Sequence, residues 1–499
     1  MKDVVHLVID KYDGSLKAEH GTGRNMAPFV EYEWGSEAYE IMKAVKKLFD
    51  PKGLLNPGVI FNDDPFCYLK NLKPLPQLNA KIDRCIECGF CEINCLTCGL
   101  TLSSRQRIVI QREIALLKAS GEFPERIRKL QKQYEYAGNQ TCAGDGLCAL
   151  SCPMGINVGD LTRDIRRAAY PPGSAAYAAG KWTAKNFNAV KKILRLMLKL
   201  ANAVHTALGT KAMIFLTKAL HQIFSLPLWN TAMPKSFRFK AAKEVDLQCD
   251  TNEKKCNKIK DKVVYFPSCI NQTMGLDKAS TEKQPLMNEM IALLHKAGYE
   301  IIFPQNMDKL CCGNIWESKG MFDIADEKTT ELEAALYKAC RNGKYPVICD
   351  QSPCLFRIRR MIQNMKIYEP VEFINTFLID KLEFVQTDMP VAVHITCSMK
   401  KMGLSDQIID LAKRCSSNVF VPQEIGCCGF AGDKGFTHPQ INEYALRKLR
   451  PQIKKAGSKK GYSNSRTCET GLTANSGIHY QSIVYLVNQC TNCKSITDK

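Results

Sequence analysis

The chain is 499 residues long, 45% hydrophobic and 24% charged, a balance that fits several globular domains and excludes a disordered chain. Its formal net charge is +19, from 69 Lys and Arg against 50 Asp and Glu, but no zinc-finger, helix-turn-helix or RNA-binding signature accompanies it, so no nucleic-acid partner is expected. The 24 cysteines fall mostly in runs, which suits metal-ligating thiols in a reducing cytosol better than a secreted disulfide framework. Met1 leads into Asp3, Asp10 and Asp13 with no long apolar core, and a cytoplasmic location is expected.

Residues 1–65 read as the end of a larger domain. The apolar run Val4–Asp10 precedes a glycine-rich loop containing Glu19-His20-Gly21. A helix is expected over Glu37–Phe49, where Ile41, Val45 and Leu48 recur at helical spacing. Asp50-Pro51-Lys52-Gly53 and Leu55-Asn56-Pro57-Gly58 stop it. A segment with so few apolar strands cannot bury a core alone.

Residues 66–160 carry two cysteine runs. The first holds Cys85, Cys88, Cys91 and Cys95; the second holds Cys142, Cys148 and Cys152, followed by Pro153, with Asp145 midway between Cys142 and Cys148. Zinc sites pair their ligands across a longer loop, so such crowding points to iron–sulfur chemistry. Between the runs, Ser103–Gln133 reads as helix. The C-x2-C-x2-C-x3-C spacing of the first run resembles that of bacterial ferredoxins, in which the fourth cysteine of a run reaches the other cluster. The resemblance implies that Cys85, Cys88, Cys91 and Cys152 hold one 4Fe–4S cluster and that Cys142, Cys148 and Cys95 hold a second. The last corner faces Asp145 and is aspartate-ligated, water-ligated or empty, the empty case being a 3Fe–4S cluster. The bland alternative is that Asp145-Gly146 forms a turn. Cys98 is either a spare thiol or an alternative ligand.

Residues 161–262 form a basic helical region and linker. Val190–Leu226 mixes Ile193, Leu194, Leu196, Met197, Leu198 and Leu200 with Lys191, Lys192, Arg195 and Lys199, so no uncharged span long enough to cross a membrane exists. Two alternatives stay open: an amphipathic helix on an anionic membrane surface, or one packed on its own domain. Cys249 and Cys256 fall in a charged linker and read as free thiols.

Residues 263–499 contain an internal repeat, 263–380 and 381–499. The first half places Cys269 after Val263–Phe266, Cys311-Cys312-Gly313 after Ile301-Ile302-Phe303, and Cys354 after Val347-Ile348-Cys349. The second places Cys397 after Val391-Ala392-Val393, Cys427-Cys428-Gly429 after Val419-Phe420-Val421, and Cys468 farther on. Helical stretches Leu286–Ala297, Ile324–Cys340 and Ile408–Cys415 separate the strands. Strand–helix alternation predicts a parallel sheet with ligands beyond the carboxyl ends of its strands. Each group of four cysteines either holds a metal cluster or consists of redox-active or structural thiols. Cys67, Cys340, Cys415, Cys490 and Cys493 lie outside the repeat and read as spare thiols, with Cys490-x-x-Cys493 a weak metal site at most. The fold class expected is α+β multidomain: a helical two-cluster ferredoxin module followed by a tandem-repeat α/β Cys-Cys-Gly domain.

Glu19-His20-Gly21 followed by Leu55-Asn56-Pro57-Gly58 resembles the C-terminal end of the flavin-linked 2-hydroxyacid dehydrogenases, which include FAD-dependent D-lactate dehydrogenases and glycolate oxidase. The repeat resembles the Cys-Cys-Gly domains of heterodisulfide reductase B-type and glycolate oxidase iron–sulfur subunits. The resemblance implies Glu19 as a ligand to a divalent metal, His20 as the general base at the substrate hydroxyl and Asn56 beside the flavin. The bland reading of His20 is a turn histidine. The resemblance further implies iron–sulfur clusters in the repeat, and FAD only with a flavin-binding half that precedes this sequence or forms a separate flavoprotein subunit. The expected function is transfer of electrons from flavin to a quinone or cytochrome acceptor, with peripheral contact to the inner face of the cytoplasmic membrane. The alternatives are a thiol/disulfide reductase module and a non-catalytic iron–sulfur subunit.

Overall fold

The computed structural model describes residues 1–17, 21–72, 74–224, 226–239 and 261–494. The chain forms two compact units, Met1–Pro76 and Gln77–Lys499. In the first unit, Lys2–His6 is helical and continues as a wider turn over Leu7–Lys11, so the apolar run at Val4–Asp10 is helix. The expected helix spans Val30–Phe49, longer than its apolar repeat, because it absorbs a break at Gly35, whose φ is 78°. Val5, Leu16, Ala27, Val30 and Tyr39 are buried in this unit, while Ile41, Val45 and Leu48 are 66%, 51% and 76% exposed. The apolar stripe read from the sequence is therefore real but uncovered.

The second unit begins with a module built of helices and turns. The helix expected over Ser103–Gln133 is two helices, Ser104–Ser120 and Pro124–Tyr134. Ser103 and Gln106 form a reciprocal capping box at the start of the first, and Gly121 ends it in the left-handed conformation. Pro124 starts the second at a position where its missing N–H costs nothing. Asn157 caps Val158–Ala169, its Oδ1 accepting from Gly159 N at 2.9 Å.

The helix Phe187–Phe224 is broken at Gly209. Its Lys191 and Leu198 face inward, and Lys191 Nζ donates to Gln272 Oε1 at 2.6 Å. Ile193, Leu196, Met197 and Leu200 point to solvent, each more than half exposed. The two alternatives left by the sequence thus describe two faces of one helix. No helix among the described residues is long and apolar enough to cross a membrane.

The repeat folds as two four-stranded parallel sheets. The first runs Tyr299–Ile302, Asp261–Phe266, Val347–Cys349, Ile367–Tyr368; the second runs Val419–Phe420, Val391–Val393, Lys460–Ser463, Tyr480–Ser482. Taken in chain order within each half, the strands occupy the same positions, 2-1-3-4, in both sheets. The expected helices stand between strands as Leu286–Lys296, Phe322–Ala339 and Ser405–Cys415. One core runs continuously through both halves, joining Val263, Tyr265, Leu293 and Phe373 to Val391, Leu411, Tyr462 and Leu486.

Candidate iron–sulfur sites

In the dicluster module, Cys85, Cys91 and Cys152 pack around Ile82, Ile108, Ile156 and Val158. Burial pushes the Cys91 thiol up, and Cys152 and Cys85 are close enough to add to that effect. Cys152, from the second run, has thus crossed to the first, as the ferredoxin pattern requires. Cys88 is exposed. The positive φ of Gly89, 92°, turns the chain into the short helical turn Phe90–Asn94, which carries Cys91 inward.

The reciprocal crossing places Cys95 beside Cys142 and Cys148. These three thiols line one cavity with Asp145, Gly144, Gly146, Gly159 and Arg107. Burial pushes the Cys148 thiol up to about 12. Cys142 is held below the ordinary thiol range: burial raises it, but Arg107, the Thr162 hydroxyl and Arg166 outweigh burial. A cavity walled by three thiols, one carboxylate and glycines fits an iron–sulfur cluster. Asp145 Oδ1 accepts from Leu147 N at 3.0 Å, the turn that Asp-Gly favours. The turn engages one carboxylate oxygen only, so turn and ligand are compatible roles.

Replacing Asp145 by Cys should complete a four-thiolate set. A carboxylate is a harder and weaker partner for iron than a thiolate. Electron paramagnetic resonance after ferricyanide treatment should therefore show a three-iron signal in the parent and none in Asp145→Cys. Identical oxidised signals would make Asp145 a bystander.

Each half of the repeat gathers its four predicted cysteines. In the first, Cys311 hydrogen-bonds Cys269 and Cys312, and Cys312 hydrogen-bonds Cys354. Cys312 lies well below the ordinary thiol range because Cys311, Cys354 and the Asn314 N–H all donate to it, with Arg357 adding positive charge. In the second, Cys427 joins Cys397 to Cys428, and Cys428 Sγ lies 3.0 Å from Cys468 Sγ. Cys427, Cys428 and Cys468 are buried and Cys397 is half-buried. The hydrogen bond with Cys427 and then burial push Cys397 well up; the bond with Cys397 lowers Cys427, but its bond with Cys428 and burial outweigh that and push it well up. Gly313 and Gly429 take positive φ, 83° and 74°, and a Cβ there would lie 2.2 Å from Ala325 O and 2.8 Å from Ile441 O. The glycine after each cysteine pair is thus required by close backbone packing as well as by its turn.

Among the described residues no group of three or more His, Cys, Asp or Glu side chains is placed to hold a single metal ion. A mononuclear ion draws its ligands to one centre, whereas a cubane spreads four thiolates over different irons.

Some residues escaped sequence reasoning. Cys349, at the end of its strand, lies close enough to Cys312 and Cys354 to affect both, whereas Ser463 ends the corresponding strand in the second half. The buried Arg107 stands against Cys95, its Nη1 3.7 Å from the sulfur. Its neighbourhood in the sequence showed only helical periodicity. Cys415 and Cys490 meet as a hydrogen-bonded pair inside the repeat core, while Cys493 sits on a strand opposite Leu382. The Cys490-x-x-Cys493 pattern therefore does not form one site. Cys98 is exposed, and its carbonyl accepts from Tyr444 OH at 2.9 Å. Glu19 and His20 lie outside the described residues, as do Cys249 and Cys256. Asn56 is exposed in a turn with φ of 42°.

Comparison with known proteins follows the same divisions. Residues 1–60 match the C-terminal domain of FAD linked oxidases, residues 84–157 a 4Fe-4S dicluster domain, and residues 263–359 and 391–473 a cysteine-rich domain. A D-2-hydroxyglutarate dehydrogenase of Stutzerimonas stutzeri is 49% identical over 53 residues, 11% of this chain and 11% of that protein. A glycolate oxidase component of Bacillus subtilis, GlcD, is 43% identical over 51 residues, 10% of this chain and 11% of that protein. A component of the anaerobic glycerol-3-phosphate dehydrogenase of Escherichia coli is 22% identical over 246 residues, 46% of this chain and 59% of that protein. The chain thus spans about a tenth of the length of the first two relatives and under two thirds of the third. The matched domains and the gathered thiols support an iron–sulfur electron-transfer role. The chain thus joins a segment similar to the C-terminal domain of FAD linked oxidases, a segment similar to a 4Fe-4S dicluster domain and a tandem pair of segments similar to a cysteine-rich domain.

Proposed function

We propose that this chain is the iron–sulfur electron-transfer portion of a flavin-dependent D-lactate or related 2-hydroxyacid dehydrogenase, with a quinone or cytochrome as acceptor. The carrying observation is that one chain gathers thiols at two dicluster sites and two repeat sites behind an FAD-oxidase C-terminal segment. Cys85, Cys88, Cys91 and Cys152 hold the first cluster. Cys95, Cys142 and Cys148 hold the second, with Asp145 at the fourth corner. Cys269, Cys311, Cys312 and Cys354, and in the second half Cys397, Cys427, Cys428 and Cys468, hold further clusters. Bound there, iron–sulfur clusters supply one-electron carriage between a two-electron flavin and the acceptor.

The residues themselves set the charge around each site, and at all but the exposed Cys88 they limit the access of water. Glu19, His20 and Asn56 are the candidates for a divalent metal, for proton removal from the hydroxyacid and for flavin contact; a histidine suits the second task because its pKa lies near neutrality. The exposed Ile41, Val45 and Leu48 stripe offers an apolar face to a flavin-binding half or flavoprotein subunit. The solvent face of Phe187–Phe224, with Ile193, Leu196 and Leu200 beside Lys192 and Lys199, suits peripheral contact with an anionic inner membrane face.

The test uses the full chain reconstituted with iron and sulfide without oxygen. It should be brown, bleach when mixed with chemically reduced flavin, and regain its colour when menadione is added as a quinone analogue. A colourless protein that holds only zinc would overturn the reading.

A further inference from the structure

The loop Cys142–Cys148 stands between the two halves of the repeat, but it meets them differently. Toward the first half, Gly144 O accepts from Arg163 Nη2 at 2.9 Å. Arg163 Nε lies 3.8 Å from Glu317 Oε1, Glu317 pairs with Arg357, and Arg357 Nε donates to Cys312 O at 2.8 Å. Arg166 also bridges Cys142 O to Ser318 O of the first half, at 3.2 and 2.7 Å, but the path to Cys312 itself runs through three charged side chains. Toward the second half the loop comes nearer, and Asp145 is close enough to act on Cys397 and Cys427 themselves. A methyl placed on Gly426, immediately before Cys427, would touch Leu147 Cδ1 at 3.5 Å.

Two lysines converge here. Cys397 opens the short helix Cys397–Lys401, so Lys400 and Lys401 lie one turn beyond it. Lys400 Nζ donates to Ile425 O at 3.2 Å and Gly426 O at 3.3 Å, on the backbone that leads into Cys427. Lys401 Nζ sits 3.8 Å from the centre of the Phe356 ring. Cys397, Cys427 and Asp145 are all close enough to act electrostatically on both ammonium groups. Two cations thus share the space between the thiols of the second dicluster site and those of the second half.

We propose that the second half of the repeat is the redox neighbour of the Cys95/Cys142/Cys148 site, and that Lys400 and Lys401 are positioning residues that favour reduction of the second half. This rests on the iron–sulfur reading above. One electron leaves the dicluster site, which is oxidised, and reduces the repeat site by one unit. A nearby cation stabilises the added negative charge, most effectively where water is excluded.

The test is a potentiometric titration of the full reconstituted chain, followed by electron paramagnetic resonance and iron analysis. The centre of interest is the one whose signal disappears in Cys427→Ser. Lys401→Gln and Lys400→Gln should each make that centre harder to reduce, the double variant by roughly tenfold in the reduction equilibrium or about 59 mV for one electron. The other centres should stay unmoved, and Lys401→Arg should restore the parent value. Iron retained at parent level with an unchanged potential, or a shift confined to the centre lost in Cys312→Ser, would overturn this inference alone. Absence of any iron bound by the second half would overturn it together with the reading it rests on.

Discussion

Replacing Arg107 by alanine is expected to destabilise the dicluster module by about 3–5 kcal/mol and to release iron from the Cys95/Cys142/Cys148 site. Arg107 is 1% exposed. Its guanidinium donates to Gly138 O at 2.8 Å, Thr97 Oγ1 and Thr141 Oγ1 at 3.1 Å, Ala137 O at 3.3 Å, and Leu102 O. Truncation takes a donor from each of these groups; Leu102 O and Ala137 O keep the Thr97 and Thr141 hydroxyls, and each buried acceptor left unmet costs about 1–3 kcal/mol. It also removes the cation that does most to hold Cys142 ready to ionise. Arg107→Lys keeps the charge but not the planar fork, so it should retain more iron while recovering only part of the stability. Denaturant unfolding with parallel iron analysis measures both. Parent-like stability and iron content in Arg107→Ala would show that its hydrogen bonds are replaced by water at no cost.

Cys91→Ser should lose the iron of the first dicluster site and destabilise residues 77–169 by several kcal/mol, because ligands assembled only in the folded state make metal binding part of folding. The reason lies in the size of the core. The cluster around the first site buries only Ile82, Ile108, Cys148, Ile156, Val158 and Leu161, with Cys85, Cys91 and Cys152 packed against them, and Ile114, Leu117, Tyr134 and Leu147 are the other buried apolar side chains of the segment. Such a core is too small to hold the module without the cluster. The repeat has its own extensive core, so it should survive. Limited proteolysis should therefore cut within residues 77–169 of the variant and spare residues 261–494. Uniform resistance of parent and variant would contradict the coupling.

The cysteine runs and the repeat were legible before any folding. Cysteine spacing is a local property, and the crossing of Cys95 and Cys152 is what the resemblance to bacterial ferredoxins implies. The tandem halves could be read because strand, Cys-Cys-Gly and strand recur in order, and both sheets show the same 2-1-3-4 arrangement. Helices were legible from periodicity, but Gly35, Gly121 with Pro124, and Gly209 broke or divided them. An apolar repeat reports which face is apolar, not whether something covers it. Ile41, Val45 and Leu48 have the spacing of a core face and stand in solvent.

Which distant groups meet could be learned from the folded chain alone. Arg107 carries no signal beyond helix, yet folding back the segment 137–141 surrounds it with acceptors and a thiol. Lys400 and Lys401 look like two more charges in a basic chain until the second half docks on the dicluster module. That docking joins His438 to Gln140 at 3.2 Å and Tyr444 to Cys98 at 2.9 Å. Cys349, Cys415 and Cys490 became neighbours of other thiols in the same way. The physical reason is common to all of them. Spacing along a chain encodes contacts within one element or turn, whereas the electrostatic surroundings of a thiol come from elements far apart in sequence that share one core.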